Sequence, residues 1–162
     1  NCFVLDFDRI ASSWHSLDEV DDNEQFIVTP YNSNNGTVNS LAVVMPLSVP
    51  IGDEAIIKSL GDIPIYRIEL ENNARSDSLN SDKKQKRLAN DFYNQVSGLR
   101  EKYQGLEEVH LFVASQASFA FRLGQMYSGT VHPNIYVYNF DAKNNDYNWC
   151  FKITDPPSMI KM

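Results

Sequence analysis

The sequence predicts an α/β fold: a Rossmann-like three-layer domain with a mostly parallel central sheet and a C-terminal β-hairpin. Three observations predict it. Segments of strand character alternate with segments of helical period, the pattern of a sheet covered by crossover helices. Two of the strand segments, Leu41 to Ser48 (LAVVMPLS) and Val109 to Ser115 (VHLFVAS), are continuous apolar runs, as strands buried on both faces require. The last two, Asn134 to Phe140 (NIYVYNF) and Tyr147 to Ile153 (YNWCFKI), flank the turn DAKNND and read as a hairpin at a sheet edge.

The remaining elements follow in order. Residues 3 to 10, FVLDFDRI, alternate enough for a short strand. The next stretch crowds Asp18, Glu19, Asp21, Asp22 and Glu24 together, which reads as a solvated loop or exposed helix face. It lacks the alternating ligands and central glycine of a calcium loop. Pro30 to Thr37 is a turn-rich connector. Residues 1–40 thus form an N-terminal strand and polar connector, and residues 41–162 the α/β domain. Within the latter, IGDEAIIKSLG is a short helix with Pro50 before it and Gly61 at its close. Ile63 to Leu70 alternates as a strand, and NNARSDSLNSDKK is a loop. Leu88, Phe92, Val96 and Leu99 stand at helical spacing between Lys83 and Tyr103, and Gly105 ends that element. A further helix follows Ser115.

Composition sets bounds on function. The 162 residues suffice for one domain with a real core, and 43% are apolar. A net charge of -7 opposes coating of duplex nucleic acid or an anionic membrane, yet leaves a small phosphate ligand open, since that feels only a local field. Cys2 and Cys150 lie at opposite ends of the sequence; one disulfide is arithmetically available, and two lone thiols in a reducing cytosol are the plainer reading. No apolar run has the length of a membrane span, and no CxxC or His–Cys cluster marks a metal site. The N-terminus lacks the basic flank and small-residue cleavage site of a signal peptide, so a cytoplasmic location is expected. The absent initiator Met suggests a processed chain or a piece of something longer.

Ligands of open α/β sheets bind beyond the carboxyl ends of the strands. Two loops there attract attention, Pro46-Leu47-Ser48-Val49-Pro50 and Ala114-Ser115-Gln116-Ala117-Ser118. Small and hydroxyl residues admit a ligand to the backbone, and a helix N-terminus offers N–H groups to anionic oxygens. Arg122, one turn beyond Ser118, has the reach to meet a phosphate. The competing reading makes Ser115 and Ser118 helix caps and Arg122 a solvated cation, and spacing alone favours it. Catalytic templates fail: no GxSxG, GxxxxGK[ST], HExxH or GxGxxG is present. His15, His110 and His132 are scattered, with His110 expected to be a packed strand residue. Lys83, Lys84, Lys86 and Arg87 read as a solvated helix face, since Asp91 and Glu101 share the helix.

The segment Val109-His110-Leu111-Phe112-Val113-Ala114-Ser115-Gln116-Ala117-Ser118-Phe119-Ala120-Phe121-Arg122-Leu123-Gly124-Gln125 resembles the signature of SAVED domains. In that family an apolar "HLF-A" strand runs into a small-residue turn and a helix ending in "LGQ". IYVYNFDAKNNDYNWCFKI is similar to the family's closing hairpin, and LAVVMPLS to its strand ending in a Ser-containing loop. The likeness covers about residues 41 to 153. Two departures are visible: Gln116 stands where a Pro is common, and one CARF-like half is present where SAVED domains fuse two. The resemblance implies a cyclic oligonucleotide second-messenger sensor that activates a linked effector in bacterial antiviral defence, in CBASS or type III CRISPR signalling. It implies no cofactor, no metal and no catalysis by the domain itself. Its partners would be the cyclic ligand, the missing half, an effector domain or subunit, and a ligand-induced oligomer. Leu47, Ser48, Ser115, Gln116, Ser118, Phe119 and Arg122 are the candidate ligand-binding residues. The alternatives are a nucleotide-hydrolysing enzyme of the same fold and a structural or interaction domain.

Overall fold

The computed structural model describes residues 5–8, 13–32, 37–153 and 158–161. Strands β1 (Leu5–Asp8) and β2 (Ser13–Ser16) pair antiparallel in a small sheet of their own. The main sheet contains β3 (Phe26–Thr29), β4 (Ser40–Pro46), β5 (Ile65–Leu70), β6 (Glu108–Ala114), β7 (Asn134–Asp141), β8 (Asp146–Ile153) and β9 (Ser158–Lys161). Their spatial order is β3-β5-β4-β6-β7-β8-β9. The four central strands, β5, β4, β6 and β7, run parallel, and β3, β8 and β9 are added antiparallel at the flanks.

The two apolar runs are the central pair. Along β4 the side chains divide strictly by face: Leu41, Val43 and Met45 join one core, and Ala42 and Val44 join the other. Every residue from Leu41 to Met45 is fully buried. Helix α1 (Asp53–Leu60) covers the Ala42 face through Ile56. Helices α2 (Asp82–Ser97), α3 (Leu99–Lys102) and α4 (Ala117–Met126) serve the Leu41 face, where Leu88, Phe92, Val96, Leu99, Phe119 and Leu123 pack. The expected single helix from Lys83 to Tyr103 is therefore two, parted at Gly98. Ser81 starts α2 by accepting a hydrogen bond from the Lys84 N–H at 3.3 Å. Gly61, with φ +75°, closes α1.

Three expectations need correction. The hairpin of β7 and β8 is not at the edge, because β9 pairs along β8 from Trp149 to Lys152 and takes that place. The acidic run is not simply solvated, since Glu24 is 3% exposed and held by cations from distant parts of the chain. One of them, Lys84, comes from the basic cluster, and its neighbour Arg87 pairs with Asp21, so Lys84 and Arg87 are not a solvated face either. Lys84 Nζ donates to Glu24 at 2.5 Å and Asp22 at 2.7 Å, and Arg87 grips Asp21 through two bonds of 2.8 Å. Neither run alone shows its partner, because attraction across about sixty residues leaves no local pattern.

Cys150 is buried and free, and Cys2 lies outside the described residues. No described helix is long and apolar enough to cross a membrane, and no cluster of metal-ligating side chains occurs among the described residues.

Candidate ligand crevice

Strand order places the site. The chain leaves β4 through α1 toward β5 on one side, and leaves β6 through α4 toward β7 on the other. Because neighbouring strands send their connections in opposite directions and to opposite faces, the gap between their carboxyl ends is a topological switch point, the place where open α/β sheets bind ligands. Pro46 and Ala114 are paired across that gap, so the loops after them form its two lips. Both candidate loops therefore meet at one edge of the sheet, as parallel strands require.

The lips are joined in this structure. The Leu47 and Ser48 N–H groups both donate to the Ala114 carbonyl, at 2.9 and 2.8 Å. The loop between β5 and α2 supplies a third wall that the sequence does not advertise. There Arg75 N–H and Ser78 Oγ donate to the Leu47 carbonyl at 3.2 and 2.8 Å, and Gln116 Nε2 donates to the Ser76 carbonyl at 3.2 Å. Its only signal in the sequence is a Ser/Asn/Arg-rich stretch following a third parallel strand. Helices α1, α2 and α4 all start from this edge, so three N-termini bring positive backbone ends toward it.

The candidate residues divide into two groups. Ser48, Ser115 and Gln116 are half-buried on the lips. Two polar atoms among them are buried without a hydrogen-bond partner, Ser48 Oγ and Gln116 Oε1. Ser115 Oγ donates to the Gln116 carbonyl rather than capping the helix, and α4 begins at Gln116 with no side-chain cap. The other four are committed to the interior. Leu47 and Phe119 are fully buried in the main core, so neither side chain offers a surface to a ligand. Ser118 is 3% exposed and accepts from Gln85 Nε2 at 2.8 Å. Arg122 is neither solvated nor turned to the crevice: its Nε donates to Gln85 Oε1 at 2.9 Å, and its guanidinium pairs with Asp82. Gln85, also donating to the Leu79 carbonyl at 2.6 Å, ties α4 to α2 beneath the lips.

A carboxylate hub lies behind the third wall. Glu24 receives two bonds from Arg75, at 2.9 and 2.8 Å, one from the Asn72 N–H at 2.9 Å, and one from Lys84. Burial pushes its carboxyl up, but these donors outweigh burial and hold it at about 2. The Arg75 charge is thereby neutralised, and its backbone fixes the first lip.

The histidines lie elsewhere. His110 Nδ1 is 2.8 Å from Tyr138 Oη, and its ring stacks on Tyr136. Burial keeps His110 below its ordinary range, against the pull of Glu108. Five residues of strand separate it from Ser115, about 16 Å. It borders a cavity of about 420 Å³ at the opposite edge, with Asn39, Asp62 and Pro64. His132 is buried near Tyr93, Tyr127 and Ser97.

Comparison with protein families is decisive for lineage. A model of the SAVED family, "SMODS-associated and fused to various effectors sensor domain", matches residues 1–153. The chain belongs to the SAVED family. No curated protein matches it in sequence. Solved structures with a similar fold include Cap4, a SAVED/CARF-domain containing receptor of Acinetobacter baumannii, at TM-score 0.56 and 16% identity, over 78% of this chain and 25% of that one. The same receptor with the cyclic trinucleotide 2′3′3′-cAAA gives 0.55 and 15%, over 80% and 27%. With 3′3′3′-cAAA it gives 0.56 and 15%, over the same shares. This SAVED chain thus spans about a quarter of the length of those receptors.

Proposed function

We propose that this chain is a sensing module whose strand-end crevice holds part of a cyclic oligonucleotide. The observation that carries the reading is the pair of unpartnered buried polar atoms, Ser48 Oγ and Gln116 Oε1, on the two lips of a switch-point crevice. Buried polar groups are almost always hydrogen-bonded, to protein, water or ligand, and two such atoms together at a switch point are placed to accept a polar ligand. Membership of a sensor-domain family and likeness to a receptor bound to cyclic trinucleotides point to the same ligand class.

Binding on this reading involves no bond breaking. The ligand favours one arrangement of the lips, and that preference is passed to an attached or neighbouring effector of bacterial antiviral defence, in CBASS or type III CRISPR signalling, inside the cytoplasm. Helix N-termini meet the phosphates and the lips meet sugar and base, with Ser115 beside Ser48 and Gln116. Leu47, Ser118, Phe119 and Arg122 act from beneath, by shaping the backbone.

A chain with one such crevice supplies about half the contacts of a two-lobed site. Losing two charge-assisted hydrogen bonds of about 1.5–3 kcal/mol each weakens binding by about a hundredfold or more. Titration of the chain with cyclic di-, tri- and tetranucleotides, followed by backbone amide NMR, is the test. Shifts at Ser48, Ser115 and Gln116 with weak, saturable affinity are expected, and the ligand should be recovered intact on thin-layer analysis. No shifts for any ring size would refute binding, and cleaved ligand would favour a hydrolase.

A further inference from the structure

The loop between β5 and α2, residues 71–81, holds both lips at once. On the crevice side its bonds are few and neutral. The Leu47 carbonyl of the first lip accepts from the Arg75 N–H at 3.2 Å and Ser78 Oγ at 2.8 Å, and Gln116 Nε2 of the second lip donates to the Ser76 carbonyl at 3.2 Å. Behind the crevice the same loop is tied to residues 18–25 by stronger bonds. Arg75 grips the Glu24 carboxylate through two bonds of 2.9 and 2.8 Å, and the Asn72 N–H donates to it at 2.9 Å. At the ends of the loop, the Glu71 N–H donates to the Gln25 carbonyl at 3.1 Å and the Asp18 N–H to the Asn80 carbonyl at 2.8 Å. Charge-assisted bonds are about twice as strong as neutral ones, and the bidentate form adds to this. The loop therefore parts more readily from the lips than from residues 18–25.

We infer that the 71–81 loop is an autoinhibitory clamp that keeps the lips shut until ligand enters and then lifts from them together with residues 18–25, an assignment that rests on the proposed crevice function. In the shut arrangement Ser48 Oγ and Gln116 Oε1 are buried without partners, while Leu47 and Ser48 stay bonded to the Ala114 carbonyl. Ligand entry exchanges the clamp bonds for contacts of the ligand's own. The clamp thus lowers apparent affinity by the fraction of molecules that are open. Residues 18–25 lie between β2 and β3, so their displacement carries the opening out of the crevice.

Ser78→Ala tests the clamp without touching a ligand contact. Ser78 is fully buried, and the Leu47 carbonyl keeps the Arg75 N–H when the hydroxyl is gone, so no backbone acceptor is orphaned. Calorimetry on the full chain uses cyclic di-, tri- and tetraadenylate as probes. Ser78→Ala is expected to bind about two- to tenfold tighter than wild type, the effect of one neutral hydrogen bond removed from the closed state. A fixed wall would bind equally well or more weakly after the same change. Amide exchange on the wild-type chain gives a second reading. Saturating ligand should hasten exchange at Arg75, whose N–H leaves Leu47, and leave Asn72, held by Glu24, protected. Unchanged or weaker binding by Ser78→Ala, or slower exchange at Arg75, overturns the clamp while leaving cyclic-nucleotide binding intact. Failure of both proteins to bind any of the rings overturns the underlying reading instead.

Discussion

Replacing Glu24 by Gln removes one buried negative charge and leaves the cations around it in place. The Glu24 and Lys84 side chains are each 1% exposed, so solvent does little to screen the loss. Breaking a buried pair by removing one partner costs about 3–5 kcal/mol. Lys84 keeps Asp22, which is half exposed, so the lower end of that range applies. Linkage gives an independent figure. A carboxyl at 4.5 in the unfolded chain and about 2 in the folded one stabilises the fold by about 3 kcal/mol near neutral pH. Because the folded value is depressed, this contribution is complete above about pH 4.5 and is lost as pH falls through about 2. Urea unfolding followed by circular dichroism should show Glu24→Gln about 3 kcal/mol less stable than wild type at pH 7, with the difference shrinking below about 1 kcal/mol by pH 2. A loss under about 1 kcal/mol at pH 7, or an equal loss at both pH values, would refute a charge-based role for Glu24.

Other perturbations separate the crevice from its foundations. Leu47→Ala should lower stability by about 2–5 kcal/mol, as for any fully buried leucine, which urea melts would measure. Arg122→Gln should loosen α4 from α2 and cost about 1.5–3 kcal/mol, read as faster amide exchange in both helices. Gly105 has φ +86°, and an added Cβ would lie 2.5 Å from Thr37 Cγ2, so Gly105→Ala should destabilise by at least about 1–2 kcal/mol in thermal melts.

What the sequence discloses depends on how far apart the interacting residues are. The runs 41–48 and 109–115 announce buried parallel strands because burial on both faces leaves few polar positions, His110 alone interrupting the apolar residues before the terminal serines. They also place Ser48 and Gln116 at a common edge, since parallel strands share a direction. Periodicity finds Leu88, Phe92 and Val96, but it cannot reveal that Gly98 divides the helix. The errors concern charge. Arg122, Lys84 and Glu24 look solvated or ligand-seeking in isolation, and each is occupied by a partner 37 or more residues away. Leu47 and Phe119 sit in the right segments, but the alternation of strand and helix faces turns their side chains into the core.

The pairing of β4 with β6 has a consequence for the order in which the molecule assembles. Ala42 meets Ile65 across a loop of about 23 residues and His110 across one of about 68, so closing the second costs about 1 kcal/mol more in chain entropy. The units β4-α1-β5 and β6-α4-β7 have the shorter route, and the contact between them waits for both. Pulse-labelled amide exchange should find Leu47 and Ser48, whose N–H groups close on Ala114, among the last sites protected during refolding. The crevice would then be a seam between two separately formed pieces, created only when the chain has finished folding and the first join to yield when it comes apart.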